Sequence, residues 1–335
     1  MAIKYLSSSK VILNNKYQPA SIIFSTDSGK IIDIIDKKFT NTISKSINLK
    51  YDVHEFENVT LNIILFGLVD SHVHLNEPGR SDWEDFKSST KATITGGVTT
   101  VVDMPLNVIS PTTFVKNYNS KLASAKNKLW CDTAFWGGLV PTNIDDLIPL
   151  IRCGMKGFHS DSSVSESPQI NKEYVERVMK KLKSENTILL FHAKLEDEEK
   201  RYDNKIDPTI YQTFKNSKPH LFETNAINMV VDISEKVLGE EKSDLSVHIV
   251  HLVTGAGIPL IKASRQKGVP VTAETCFHYL YFIEDNIANK FVHFKCYPPI
   301  KDKGNRMNLW EGLKKGVITS VVSVHSPCIP ELKNL

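Results

Sequence analysis

Cysteine is scarce in this chain. The five residues, at positions 131, 153, 276, 296 and 328 of 335, are odd in number and scattered, with no CxxC pair. That excludes a disulfide framework and points to reduced thiols in the cytoplasm. Long apolar runs are also missing. The N-terminal MAIKYLSSSKVILNN lacks the uninterrupted apolar core of a signal peptide, and nothing later is long enough to span a bilayer. Charge of one sign is in short supply: Lys+Arg 41 against Asp+Glu 38 leaves +3, without a Lys/Arg-rich run. Neither a nucleic acid nor an anionic membrane is therefore expected as a partner. No internal repeat or low-complexity linker stands out. With 41% hydrophobic residues, a chain of this length can bury a real core, as one large domain or two modest ones.

What the chain does have is one dense stretch, FGLVDSHVHLNEPGR at 66–80. A short apolar run, Leu65 to Val69, enters Asp70-Ser71-His72-Val73-His74 and stops at a loop marked by Pro78-Gly79. Alternate residues of a strand share a face, so His72 and His74 project together while Val73 points away. Two imidazoles at the end of a strand can ligate one metal ion, although an isolated HxH is also compatible with two exposed histidines beside a loop.

Along the chain, residues 3 to about 60 hold short β-type runs (KVILNN, ASIIFST, KIIDIID, DVHEFENV) separated by polar and glycine-containing turns. They read as a small β-sandwich-like unit over 1–60, too short to stand alone and expected to lean on the rest of the chain. Over 61–335 the pattern alternates. Strands are expected at 67–74, 98–104, 131–137, 155–158, 187–193, 247–252, 270–274 and 319–325. Helices are expected at 83–95, 112–128, 144–152, 172–184, 221–238, 257–267 and 306–315. Eight apolar strands with seven helices between them spell an α/β fold, a (β/α)8 TIM-type barrel. Gly96-Gly97 stands where a helix C-cap belongs. The mixed-charge segment 194–206 is expected as a solvated helix or loop face.

Barrel chemistry sits at the C-terminal ends of the strands. Those ends carry His72 and His74, then Lys156 in the fourth strand, His192 after the fifth and His251 after the sixth. His192, taken alone, is equally compatible with a hydrogen-bonded core histidine. His248 and His251 are three apart, so in a strand only one faces inward; His251, nearer the end, is the expected one, with His248 facing a helix. An inward lysine is costly to bury as an ammonium. Carboxylation of the Lys156 amine would give a bridging anion for two metals; a snorkelling surface lysine is the alternative.

These residues lie in a series of short motifs: DSHVHLNEPGR, GGVTTVVDMPLN, FWGGLVP, MKGF, FHA, VHIVHL, AETCFHYL, KCYPPIK, NLWEGLKKGVI and HSPC. In this order the series resembles the cyclic amidohydrolases, and within them the allantoinases, over essentially the whole chain. The resemblance implies two zinc ions, one held by His72 and His74, the other by His192 and His251, bridged by carboxylated Lys156. It implies hydrolysis of the ring amide of a small-molecule substrate, allantoin, to allantoate, with Asn76 and Tyr297 binding the substrate. Related dihydroorotases typically carry arginine where this chain has Asn76, a neutral donor and acceptor suited to an uncharged ureide. Arg80 fits a solvent role equally well.

The departures from the family pattern are as informative. The family's eighth strand ends in an aspartate that ligates metal and shuttles a proton; here the position is Val324, so no catalytic carboxylate is expected there. His325 beside it belongs to the opposite face. The chain is shorter by about three residues before Lys156, Val253 replaces a serine, and Lys218 and Lys301 replace arginines. The family's final helix and closing C-terminal β segment are expected to be missing. That leaves strand edges and apolar surface to be covered by a homo-oligomer. Three functions stay open: an active allantoinase-type enzyme, a catalytically impaired relative, or a hydrolase of another cyclic amide such as a hydantoin, dihydropyrimidine or dihydroorotate.

Overall fold

The computed structural model describes residues 2–59, 62–160, 171–195, 207, 209–239 and 243–333, apart from the side chain of residue 54. The mixed-charge segment expected at 194–206 lies outside the described residues from 196 onward. The chain divides into two compact units, Met1–Leu68 and Val69–Leu335.

The first unit is a four-stranded sheet with one helix. Strands β1 (Ile3–Leu13), β2 (Lys16–Ser25), β3 (Ile31–Ile35) and β4 (Val53–Asn58) stand in the order β3-β2-β1-β4. Leu13 pairs with Lys16 across Asn14-Asn15, both at positive φ (51° and 61°). Two left-handed residues give the turn whose twist suits a two-residue hairpin, and asparagine tolerates that backbone. Helix α1 (Asn41–Tyr51) was not apparent from the sequence, because its only buried residue is Ile47. Thr40 caps it by accepting from the Ile43 N–H, and Ile47 completes a small core with Ile3, Tyr5 and Ile23.

The second unit is a closed barrel of parallel strands. Its strands are β5 (Leu68–Val73), β6 (Val98–Asp103), β7 (Asp132–Phe135), β8 (Gly137–Gly138), β9 (Gly157–Ser160), β10 (Thr187–Phe191), β11 (Leu245–Ile249), β12 (Val271–Cys276) and β13 (Ser320–Val322). They form two runs, β5-β6-β7 and β13-β12-β11-β10-β9-β8. β7 and β8 share one barrel position, interrupted at Trp136, whose N–H donates to Asp103 O (2.9 Å). A parallel bridge between Val73 and His325 joins the ends, with the His74 N–H on His325 O at 2.7 Å. The helices are α2 (Phe86–Thr95), α3 (Val115–Ala125), α4 (Leu147–Arg152), α5 (Lys172–Leu182), α6 (Tyr211–Asn216), α7 (His220–Leu238), α8 (Gly257–Gln266), α9 (Phe277–Tyr281) and α10 (Lys303–Lys314). All eight expected strand positions are present. The expected helices shorten where a cap sets the boundary: α2 begins at Phe86 because Asp85 and Ser88 form a capping box. It ends at Gly96, followed by Gly97 at φ 83°. The core between strands and helices includes Phe158, Leu189, Val247, Ile249 and Ala273, all fully buried. Among the described residues, no helix is long and apolar enough to cross a membrane.

Candidate active site

At the C-terminal ends of the strands a cavity of about 710 Å³ opens, and seven histidines line it: His72, His74, His159, His192 and His251, with His278 and His293 from the segments after β12. His72 is the hub. Its ring centre lies 5.7 Å from that of His74, 5.4 Å from His251 and 6.1 Å from His159. His192 stands beyond His251, with Nδ1 bonded to His251 Nε2 at 2.9 Å. The Nε2 of His192 is buried with no hydrogen-bond partner among the described residues, which leaves it for a bound molecule. Burial, with the nearby Lys194 and His72 charges, pulls His192 down to about 3. Burial, with the His72 and Lys121 charges, does the same to His74. Both rings are therefore neutral near pH 7 and keep a lone pair.

The strand that supplies the fourth barrel position corrects the sequence reading. Lys156 is exposed and does not line the cavity. It precedes β9, in which Phe158 is buried in the core and His159 lines the cavity. Residues an odd number apart point to opposite faces, so His159 reaches the cavity where Lys156 was expected. The signal was in the sequence, in the residue directly after MKGF.

β11 corrects a second expectation. His248 does not face a helix: its Nδ1 meets the Thr272 hydroxyl at 2.6 Å and its Nε2 the Glu274 carboxylate at 3.1 Å. His251 also lines the cavity because β11 ends at Ile249 and His251 turns out at φ 37°, so strand parity no longer relates the two.

Glu274, inside β12 and only 1% exposed, had not been singled out. It accepts from His72 Nδ1–H at 2.6 Å, from His248 and from the His251 N–H at 3.3 Å. Burial pushes its carboxyl up, but the His72 charge and the two imidazole hydrogen bonds outweigh it and hold the group well below the usual carboxylate range. A lone acid in the apolar run VTAETC was the available clue. Asn107 was also missed; its amide donates to His74 Nδ1 at 3.3 Å.

Asn76 is fully buried and outside the cavity lining. Its left-handed backbone (φ 59°) turns the side chain under the loop after β13, where the amide donates to Pro327 O at 3.2 Å. Tyr297 does line the cavity, stacked on His192 with 5.4 Å between ring centres and 4° between planes. Arg80 lies over the Trp83 ring. Val324 forms part of the cavity wall, and none of the described lining residues bears a carboxylate. His325 points away, to Glu84 at 2.6 Å.

A closed parallel barrel with imidazoles gathered at the strand ends defines an enzyme of the barrel class. The chain belongs to the amidohydrolase family, whose sequence profile matches residues 63–323. It is 48% identical to the allantoinase of Saccharomyces cerevisiae, over 100% of this chain and 73% of the yeast protein. It is 37% identical to a mitochondrial allantoinase of Aquarana catesbeiana, over 99% of this chain and 66% of that one. Among solved structures it resembles the L-hydantoinase of Arthrobacter aurescens (TM-score 0.81, 20% identity, 99% of this chain and 71% of that chain). It also resembles the dihydropyrimidinase of Brevibacillus agri (TM-score 0.80, 21% identity, 97% and 69%). At such identities the two structures speak for the fold alone.

Amidohydrolases are in general metal-dependent. The donor chemistry here suits a metal, since buried neutral imidazoles are good ligands. The arrangement does not suit two zinc ions bridged by carboxylated Lys156: that lysine lies outside the cavity and Val324 offers no oxygen. Among the described residues, no three imidazole, thiolate or carboxylate donors already converge on one ion.

Proposed function

We propose that this chain binds allantoin in the histidine-lined cavity and hydrolyses its ring amide to allantoate, at a rate held down by Val324. The observation that carries the reading is the 48% identity to the yeast allantoinase along the whole chain. The cavity supports it, because neutral imidazoles line a space that takes a small ureide. A bound divalent metal supplies Lewis acidity at the carbonyl and a more acidic water. The chain's own contribution is geometric. Glu274 fixes His72, the His192–His251 bond orients two rings, and Tyr297 gives the substrate a wall.

Ring opening also needs a proton at the departing nitrogen. With no carboxylate among the described lining residues and His74 and His192 neutral, that step is the weak one. This observation favours a second reading, a relative that still binds allantoin but turns it over poorly. A cytoplasmic location and a homo-oligomeric working form go with either reading; all five thiols are unpaired, as a reducing compartment allows.

The test is allantoate release by the purified, metal-supplemented chain, with hydantoin and dihydroorotate as competitors. Slow turnover with allantoin preferred supports the first reading. Binding without turnover supports the second. Faster opening of dihydroorotate overturns both.

A further inference from the structure

The histidine-lined cavity does not end at the strand-end histidines. Beside it, between α9 and α10, lies a groove of about 510 Å³ walled by Phe277, Leu280, Tyr281 and Trp310. His278, Phe282 and Ser323 line both spaces, so the groove opens into the cavity. Ser323 directly precedes Val324 in the cavity wall, which puts the opening at the ends of the barrel strands.

The walls are aromatic, and they are fixed. Tyr281, Phe282 and Phe294 form an edge-to-face series, with ring centres 4.9 and 5.1 Å apart, that runs from the groove into the cavity. The Trp310 Nε1–H donates to Leu280 O at 3.1 Å and Arg306 to Tyr281 O at 2.7 Å, which pins α9 to α10. Burial pulls His278 down to about 4, so this ring in the neck is uncharged near pH 7. Phe277, Tyr281 and Trp310 stay exposed, although aromatic rings gain most from being covered.

Size points the same way. Volumes of about 300–1,000 Å³ take a drug-sized molecule. The cavity, at about 710 Å³, falls in that range, and a five-membered ureide is far smaller. A molecule seated at the histidines therefore has an apolar path open to any group it carries toward Ser323.

We infer that the groove is an apolar subsite of the same cavity, and that the site takes ring amides bearing an aromatic substituent. The inference rests on the proposed binding of a cyclic ureide at the histidines and adds the class of substituent that goes with it. The occupant is the bound molecule's own side group rather than a second copy of the chain, because the groove is continuous with the cavity.

Calorimetric titration of the metal-supplemented full chain compares hydantoin with 5-benzylhydantoin. The benzyl compound should bind roughly 10-fold tighter or more, since covering a phenyl ring outweighs the cost of ordering it. Phe277→Ser combined with Tyr281→Ser should remove most of that gain and leave the hydantoin affinity unchanged. Hydantoin is thus the folding control in each protein. Trp310 reports the place: its fluorescence, taken as the difference from Trp310→Phe, should change with the benzyl compound and not with hydantoin. Hydantoin binding without a benzyl gain, a gain indifferent to the double variant, or a silent Trp310 would each overturn the inference and leave the ureide reading intact. If neither hydantoin nor allantoin binds, that reading fails and the subsite fails with it. A parent that dimerises, and a double variant that is monomeric with the benzyl gain unchanged, would assign the groove to a second copy instead.

Discussion

Glu274 and His72, 202 residues apart in sequence, meet at 2.6 Å in the interior of the barrel, the one on β12 and the other on β5, with side chains 1% and 3% exposed. The same carboxylate takes His248 on its other oxygen. Three strands are thus tied through one acid, directly beneath the cavity. Removing it leaves buried imidazole N–H groups without an acceptor, and breaking a buried charged contact costs about 3–5 kcal/mol. Glu274→Ala is expected to lower the unfolding free energy by that amount in urea titration. The sign with pH follows from the depressed carboxyl. Its contribution is present above the unfolded value near 4.5 and is lost only as pH falls below it. The gap between parent and variant should therefore be constant from neutral pH down to about 5 and close in acid.

A second buried pair sets the exit of β5. Asp103, fully buried, accepts from the Leu75 N–H at 2.8 Å and pairs with Lys121 at 2.5 Å, itself 1% exposed. Burial raises the Asp103 carboxyl, opposed by the Lys121 charge. Lys121→Met removes the counter-charge while keeping most of the stem. The expected cost is about 3–5 kcal/mol, together with weaker metal binding through a loosened His74. Thermal melts and metal titration of the one variant check both. A melting temperature within a degree or two of the parent would show that the pair is dispensable.

Much of this arrangement was legible in the sequence, because a barrel's strands are apolar runs of regular length and its site follows from where they end. His72 and His74 needed only the period-two rule. What escaped was set by facts that periodicity does not carry. Lys156 reads as the inward residue because periodicity does not fix the start of β9 to within a residue or two, and one step reverses the face. His251 and His248 broke the parity rule because the backbone leaves the strand between them. Glu274 looked like an ordinary polar interruption until its partners on two other strands were known. The family pattern places Asn76 at the substrate, but its left-handed backbone turns it under the neighbouring loop.

Glu223 on α7 offers a test in pH. It is 6% exposed and accepts from the Val253 and Thr254 N–H groups at 2.9 and 2.7 Å. Burial nevertheless pushes its carboxyl up, to about 7. A folded value above the unfolded one near 4.5 means a contribution fully present below 4.5 and lost as pH rises through 7. His74 and His192 act in the opposite direction in acid, so the quantity to read is the difference from Glu223→Gln, which cannot titrate. That difference should be roughly 2–3 kcal/mol larger at pH 5 than at pH 8, from about 1.4 kcal/mol per pKa unit. Denaturant titrations at the two pH values decide it; a difference independent of pH would refute the raised carboxyl.

Val324 has a left-handed backbone, φ 51°, in the wall of the cavity. A β-branched residue is strained in that region, by about 1–2 kcal/mol, whereas aspartate, asparagine and glycine adopt it more readily. The backbone at this point thus suits a residue other than the one present, and the side chain borders a cavity with no carboxylate among its described lining residues. Val324→Asp should act on both. Relief of strain is expected to leave the melting temperature equal to or above that of the parent, despite the added charge, because the position borders an open cavity. A carboxylate there can pass a proton to the departing ring nitrogen, and a general acid–base group is worth roughly 10²–10⁴ in rate. Val324→Gly separates the two effects, since it relieves the backbone without supplying the acid. Turnover of allantoin should rise in the aspartate variant and stay flat in the glycine variant, while both match or exceed the parent in stability. Equal rates in all three proteins would place the rate limit elsewhere, in the geometry of the metal donors rather than in proton transfer.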